Sequence, residues 1–232
     1  MNNDIEKIFK YIDDDMKENM NLFINDAVTR TYFPVSDTSC INTNYLNIMD
    51  RDVLKNYSGY NFRNINNYLR GTWNYEINGN ISNVDIYKND SRDIIEIIKN
   101  NQISLGNIKS YRGTNLDCFK SYGVQSLEDL NKLKNGYFLD RAFVSTSLSR
   151  DNSFFGVDDN NIEIIFQIPE EFTDMVYLGN VGYSPKQKEL LLNCFNIGFI
   201  NEVEVKQDSA VITITLIPKK VYDRYYSRGN TK

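Results

Sequence analysis

Gln187 and Glu189 are the two side chains of this sequence best placed to do chemistry together. They follow a turn at Ser184 and Pro185 and lead into Leu190-Leu191-Leu192. Side chains two apart on a strand share a face. The spacing therefore predicts an amide and a carboxylate directed into one space, with Lys188 and Leu190 pointing the other way. A carboxylate only accepts hydrogen bonds, whereas an amide both donates and accepts. A lone Q-x-E is by itself a polar strand end facing water. Two other segments change that reading: Tyr111-Arg112-Gly113 and Phe143-Val144-Ser145-Thr146-Ser147 each end a predicted strand. Arginine adds a planar, permanently charged fork, and the serines and threonine add short hydroxyls.

Much chemistry is excluded. The 232 residues contain no histidine, so there is no Ser-His or Cys-His nucleophile and no histidine metal ligand. Cys40, Cys118 and Cys194 are far apart and form no C-x-x-C pair. A net charge of −5 argues against a broad nucleic-acid footprint. No apolar run is long enough to span a membrane, and the acidic, polar start is not a secretory signal. Asp13, Asp14 and Asp15 read as a solvated helix face, and Asp158-Asp159-Asn160-Asn161 lacks the spacing of a calcium loop.

The elements that must position these groups fall into two halves. Ile5, Ile8, Phe9, Ile12, Met16, Met20 and Phe23 recur at helical spacing, predicting an amphipathic helix over 4–23. Residues 30–45 read as a connector. A helix is predicted over 61–70, capped by Gly71, with Asn66 and Arg70 on one face; another is predicted over 92–100. Trp73, the single tryptophan, reads as core. From about residue 107 the period becomes that of strands: 108–112, 141–146, 162–168, 189–195, 202–206 and 210–217. Ser126 and Asp129 resemble a capping box, Asn135-Gly136 a turn, and the basic tail from Tyr222 frays. Helices first and strands after is an α+β layout, read as one domain over 1–232, with an N-terminal helical part over 1–45 and a core over 57–217.

The order of Arg112-Gly113, Ser145-Thr146-Ser147 and Gln187-x-Glu189 resembles the mono-ADP-ribosyltransferase toxins of the arginine, S-T-S, glutamate class. The Q-x-E form is similar to the clostridial Rho-modifying exoenzymes of the C-three type, whereas the actin-modifying binary toxins carry E-x-E. The helix Ile65-Asn66-x-x-Leu69-Arg70 resembles that family's NAD-contacting helix. The resemblance implies N-terminal helices packed on a two-sheet mixed β-sandwich, with NAD as co-substrate and no metal. It makes Glu189 the carboxylate that stabilises an oxocarbenium-like ribose and bonds its 2′-hydroxyl, and Ser145 the group that holds Glu189. Arg112, Arg70 and Asn66 contact NAD, and Gly113 admits close approach to the nicotinamide amide. Thr146 and Ser147 belong to the same NAD-binding strand and support it. Phe154, in preference to Phe155, covers nicotinamide. Gln187 holds the acceptor, and Tyr183 docks the target protein.

Two departures stand out. The loop after Phe154-Phe155 lacks the family's arginine, leaving Arg150 ahead of it as a substitute or phosphate binding weaker. The recognition aromatic is one step off, since Ser184 stands at the expected place and Tyr183 beside it. The implied protein is a bacterial toxin or effector, secreted or injected, monomeric, acting in the host cytosol. It would transfer ADP-ribose to an Asn or Gln of a Rho-type GTPase, with a separate delivery component possible. The rivals are an NAD glycohydrolase, an arginine-directed enzyme acting on actin, and a binding module without catalysis.

Overall fold

The computed structural model describes residues 12, 14–39, 41, 43, 45–72, 82–157 and 159–222. Trp73, Cys40, Asp13, Asp158, residues 4–11 of the first predicted helix and the tail beyond Tyr222 lie outside the described residues. The chain forms α1 (Asp14–Ala27), β1 (Phe33–Pro34), α2 (Ile48–Asn56), α3 (Phe62–Arg70), α4 (Ser82–Asn100), β2 (Ile108–Thr114), β3 (Tyr137–Asp140), β4 (Val144–Ser147), β5 (Ile162–Ile168), β6 (Met175–Tyr177), β7 (Glu189–Leu192), β8 (Asn196–Val205), β9 (Ala210–Ile217) and α5 (Lys219–Tyr222). The α+β expectation holds.

Among the described residues nine strands form one hydrogen-bonded sheet: eight follow the path β3-β8-β9-β5-β2-β4-β7-β6, and β1 joins β2 off that path. The two expected sheets are the two halves of this path. They meet where β2 touches β4 through a single register pair, Tyr111 opposite Ser147. The join is short because β1 pairs with the opening of β2, at Ile108 and Lys109. On its other edge β2 pairs with β5 along all seven residues. Ile162, Ile164, Phe166 and Ile168 of β5 and Ile212, Ile214 and Leu216 of β9 share one core with Val144, Leu190 and Leu192 of the other half. Strand alternation sends Leu191 to the opposite face. There it packs with Leu54, Tyr57, Ile65, Ile94 and Ile98 of the helical layer. Helix α1 places Met20 and Ile24 against Ile197 and Ile217.

The sequence-predicted elements shift in physically sensible ways. Helix α4 begins at Ser82 rather than 92, because its first turns are polar and its buried apolar residues, Ile94, Ile97 and Ile98, all lie in its second half. Helix α2 is new; Asn47 caps it, its side-chain oxygen accepting from the Asp50 N–H at 2.9 Å. Between α2 and α3 the backbone widens into a π-helical turn over Tyr57–Asn61, and Gly71 ends α3 at φ 71°, the left-handed cap expected of it. Strand β2 continues through Gly113 to Thr114. The Ser126–Asp129 capping bonds form, at 3.2 and 3.3 Å, but they open a 3-10 helix over Glu128–Leu133. The strand expected over 141–146 is Val144–Ser147, that over 189–195 stops at Leu192, and that over 202–206 reaches back to Asn196. The connector over 30–45 contains β1, and β3 and β6 are further unexpected strands, all too short for alternation to show. Among the described residues no helix is long and apolar enough to cross a membrane.

Candidate active site

Strand pairing brings the S-T-S segment to the carboxylate. Ser147 stands directly opposite Glu189, and Ser145 opposite Leu191, so Ser145, Ser147 and Glu189 lie on one face. Glu189 is 7% exposed, and a hydrogen bond links it to Ser145. Burial raises its pKa to about 7, against the downward pull of that bond. Ser145 also bonds the hydroxyl of Tyr57, which is fully buried and accepts from Asn66 Nδ2 at 3.1 Å. A chain of side chains thus runs Asn66, Tyr57, Ser145, Glu189. Burial, ahead of these bonds, holds the Tyr57 phenol well above its ordinary pKa, so it stays protonated and able to donate.

Gln187 reaches the same place by a route that strand alternation does not describe. It ends a 3-10 turn, Pro185–Gln187, and β7 begins only at Glu189. Lys188 between them takes a left-handed conformation, φ 47°, which turns the chain from one element into the other. Ser147 fixes this corner: its Oγ lies 2.6 Å from the Gln187 carbonyl and 2.7 Å from that of Ser149, and accepts from the Ser149 N–H at 3.0 Å. Thr146 Oγ1 donates to the Leu190 carbonyl at 3.1 Å. The hydroxyls of Thr146 and Ser147 are thereby committed to the scaffold.

A cleft of about 450 Å³ is lined by Asn66, Arg112, Gly113, Ser145, Thr146, Ser147, Phe154, Gln187 and Glu189. Nine of the eleven sequence-predicted site residues therefore meet there. Arg70 does not. It lines an adjoining cavity of about 590 Å³, where Asp140 holds it through two bonds of 3.1 and 2.9 Å. Tyr183 lies outside the cleft lining, 55% exposed; its N–H donates to Ser58 Oγ at 2.8 Å, and its ring sits against Gly59. Arg112 lines both cavities, and no carboxylate pairs with it among the described residues.

Gly113 performs a task different from the one expected. Its N–H donates to the Ser153 carbonyl, and a Cβ there would lie 2.3 Å from both the Phe154 carbonyl carbon and the Phe155 nitrogen. The space is filled by the Phe154–Phe155 peptide of the protein's own loop rather than left open for a ligand. Phe154 itself sits at φ 61° on the cleft wall. Arg150 is absent from the cleft lining. Its guanidinium grips Glu163 on β5 at 2.8 and 2.5 Å, and Glu163 is completely buried. It staples the root of the loop.

The model of the ADP-ribosyltransferase exoenzyme family matches residues 33–218. The chain belongs to that family. No curated protein matches it in sequence. Among solved structures, a C3-type ADP-ribosyltransferase from Clostridium botulinum is similar with a TM-score of 0.62 at 16% identity, covering 81% of this chain and 99% of that one. Plx2a, an ADP-ribosyltransferase toxin from Paenibacillus larvae, gives 0.58 at 19% identity, covering 92% and 96%. A C3-type protein from S. aureus, solved with NAD, gives 0.57 at 18%, covering 88% and 95%. At these identities the likeness is one of fold.

An exoenzyme of this family needs a place for NAD, and the cleft fits one: its volume is in the ordinary range of small-molecule sites, with a cation and a buried carboxylate on its walls. Sequence reasoning missed several of its linings, among them Ser58, Phe62, Arg63 and Ser153. It also missed Tyr57, whose role was hidden because a tyrosine before Ser-Gly carries no periodicity. Helical spacing does put Arg63 within a turn of Asn66, and that signal was available.

Proposed function

We propose that this exoenzyme is a mono-ADP-ribosyltransferase that modifies an Asn or Gln side chain of a host protein, a Rho-type GTPase being the best candidate. The observation that carries the reading is the convergence of Gln187 and Glu189 in one cleft with Arg112 and with Ser145, to which Glu189 is hydrogen-bonded. NAD, when bound, supplies an ADP-ribosyl group whose bond to nicotinamide breaks with positive charge growing on the ribose. Glu189 meets that charge in a site of low dielectric, where a fixed carboxylate acts strongly. Ser145 keeps it oriented, and Tyr57 and Asn66 hold Ser145. Arg112 offers a bidentate fork to phosphate. Phe154 covers the nicotinamide end. The Gln187 amide exchanges donor and acceptor bonds with the amide of the acceptor, which a carboxylate at that place could not do. Tyr183, exposed beside the turn, meets the target protein.

The likeness to C3-type exoenzymes supports the GTPase, and the likeness to Plx2a, described as a toxin, supports a secreted or injected protein acting in a host cell. The chain acts as a monomer of one domain. The test is labelling of a mammalian lysate with biotin-NAD beside a Glu189→Gln control. One labelled band of small-GTPase size, absent from the control, is the expected result. Gln187→Ala should then abolish labelling and spare NAD glycohydrolysis. Equal loss of both would remove the role given to Gln187, and a band at actin size would make the enzyme arginine-directed.

A further inference from the structure

Arg63, Arg70, Arg112 and Arg141 line the two cavities, Arg150 stands at the root of the loop beside them, and the structure divides the four that could reach a ligand at the cleft sharply. Arg70 is held by Asp140, and Arg150 by the buried Glu163. Arg112 and Arg63 line the cleft, and neither has a carboxylate partner among the described residues. Arg63 lies over the ring of Phe62, its guanidinium carbon 5.7 Å from the ring centroid, a distance at which the ring face orients a cation without neutralising it. Arg63 and Arg70 are seven positions apart on α3, two helical turns or about 10 Å along one face. The helix therefore passes both cavities, with Arg63 and Asn66 at the catalytic cleft and Asn67 and Arg70 at its neighbour. The cleft also holds a donor with nothing to bond. Ser153 is 3% exposed, lines the same wall, and its Oγ has no hydrogen-bond partner in the structure.

We infer that Arg63, with Arg112, is the cation pair that binds the pyrophosphate of NAD, taking the place of the arginine missing from the loop after Phe155. The inference rests on the NAD reading of the cleft. A pyrophosphate carries two negative charges, and two unclaimed guanidiniums match them. Arg150 cannot be released to do so without leaving the Glu163 carboxylate buried and unpaired, a costly state. Arg63 needs no such release, because its side chain already stands at the cleft.

The experiment is calorimetric titration of the purified protein with two probes, ADP-ribose, which carries the pyrophosphate, and nicotinamide riboside, which does not. Arg63→Ala is expected to weaken ADP-ribose binding roughly tenfold, the scale of one charge-assisted contact at a partly exposed site, and to leave nicotinamide riboside unchanged. Arg63→Lys should recover part of the loss, and added salt should narrow the difference. Arg63 is on the surface, so its removal leaves the core intact. Equal ADP-ribose affinity in wild type and Arg63→Ala would overturn the assignment. So would normal ADP-ribose binding with reduced protein labelling, which would place Arg63 against the target protein. Failure of the wild type to bind ADP-ribose at all would instead bring down the NAD reading itself, and this inference with it.

Discussion

Glu189→Gln is expected to make the protein more stable while it abolishes activity. The carboxyl has a pKa of about 7 in the folded chain against a reference value of 4.5, with burial the main cause. It binds its proton more tightly folded than unfolded. The folded chain therefore holds more protons between these two values, and stability falls as pH rises through that window. Above the folded pKa the loss is complete. At 1.36 kcal/mol per unit, the charged Glu189 costs roughly 3 kcal/mol at alkaline pH. Glutamine keeps the shape, carries no charge and escapes this cost, less roughly 1 kcal/mol for a weaker bond to Ser145. The variant should thus be about 2 kcal/mol more stable than wild type near pH 8 and close to parity near pH 5, a gain of about 4–8 °C in Tm for a chain of this length. Urea unfolding of both proteins at the two pH values measures it. A gap that does not change with pH, or a variant less stable near pH 8, would refute the buried-carboxylate account.

The same titration sets the pH dependence of catalysis: NAD glycohydrolysis should rise with pH through about 7 as Glu189 ionises, and Ser145→Ala, by removing a bond that favours the charged form, should move that limb to higher pH. Gly113→Ala should drive the Phe154–Phe155 peptide from its seat, with a cost of roughly 1–3 kcal/mol in thermal or urea unfolding and a raised KM for NAD. Tyr57→Phe should leave the fold intact, since the ring stays buried, but lower kcat more than it changes KM, because Ser145 loses the hydroxyl that orients it; equal kcat in steady-state kinetics would count against that chain of bonds.

Much of this site was legible because its parts sit at strand ends, where residue type and order show through. Strands β5 and β9 fall at their expected positions, since each alternates over seven or eight residues with one face fully buried. What could not be read was geometry that depends on partners far along the chain. Gln187 and Glu189 share a space through a left-handed turn at Lys188 rather than through strand alternation. Gly113 looked like an opening for a ligand until Phe154, forty-one residues later, closed over it. Arg70 and Arg150 could not be told from Arg63 and Arg112 without knowing that Asp140 and Glu163 wait beside them. The short strands β1, β3 and β6 carry too few residues for any period to register.

The path of the sheet has a bearing on how the protein is made. Strand β9, the last strand among the described residues, lies in the interior of its half-sheet, between β8 and β5, and pairs in parallel with β5. Arg112 is borne by β2, whose long partner is β5, so a ribosome that has reached Leu192 has produced every cleft residue and yet no finished wall behind Arg112. Ile162, Ile164 and Phe166 would still face water where β9 belongs. Activity should therefore appear all at once, only after β9 has been made, and a nascent chain stalled before Ala210 should be harmless to the cell that makes it.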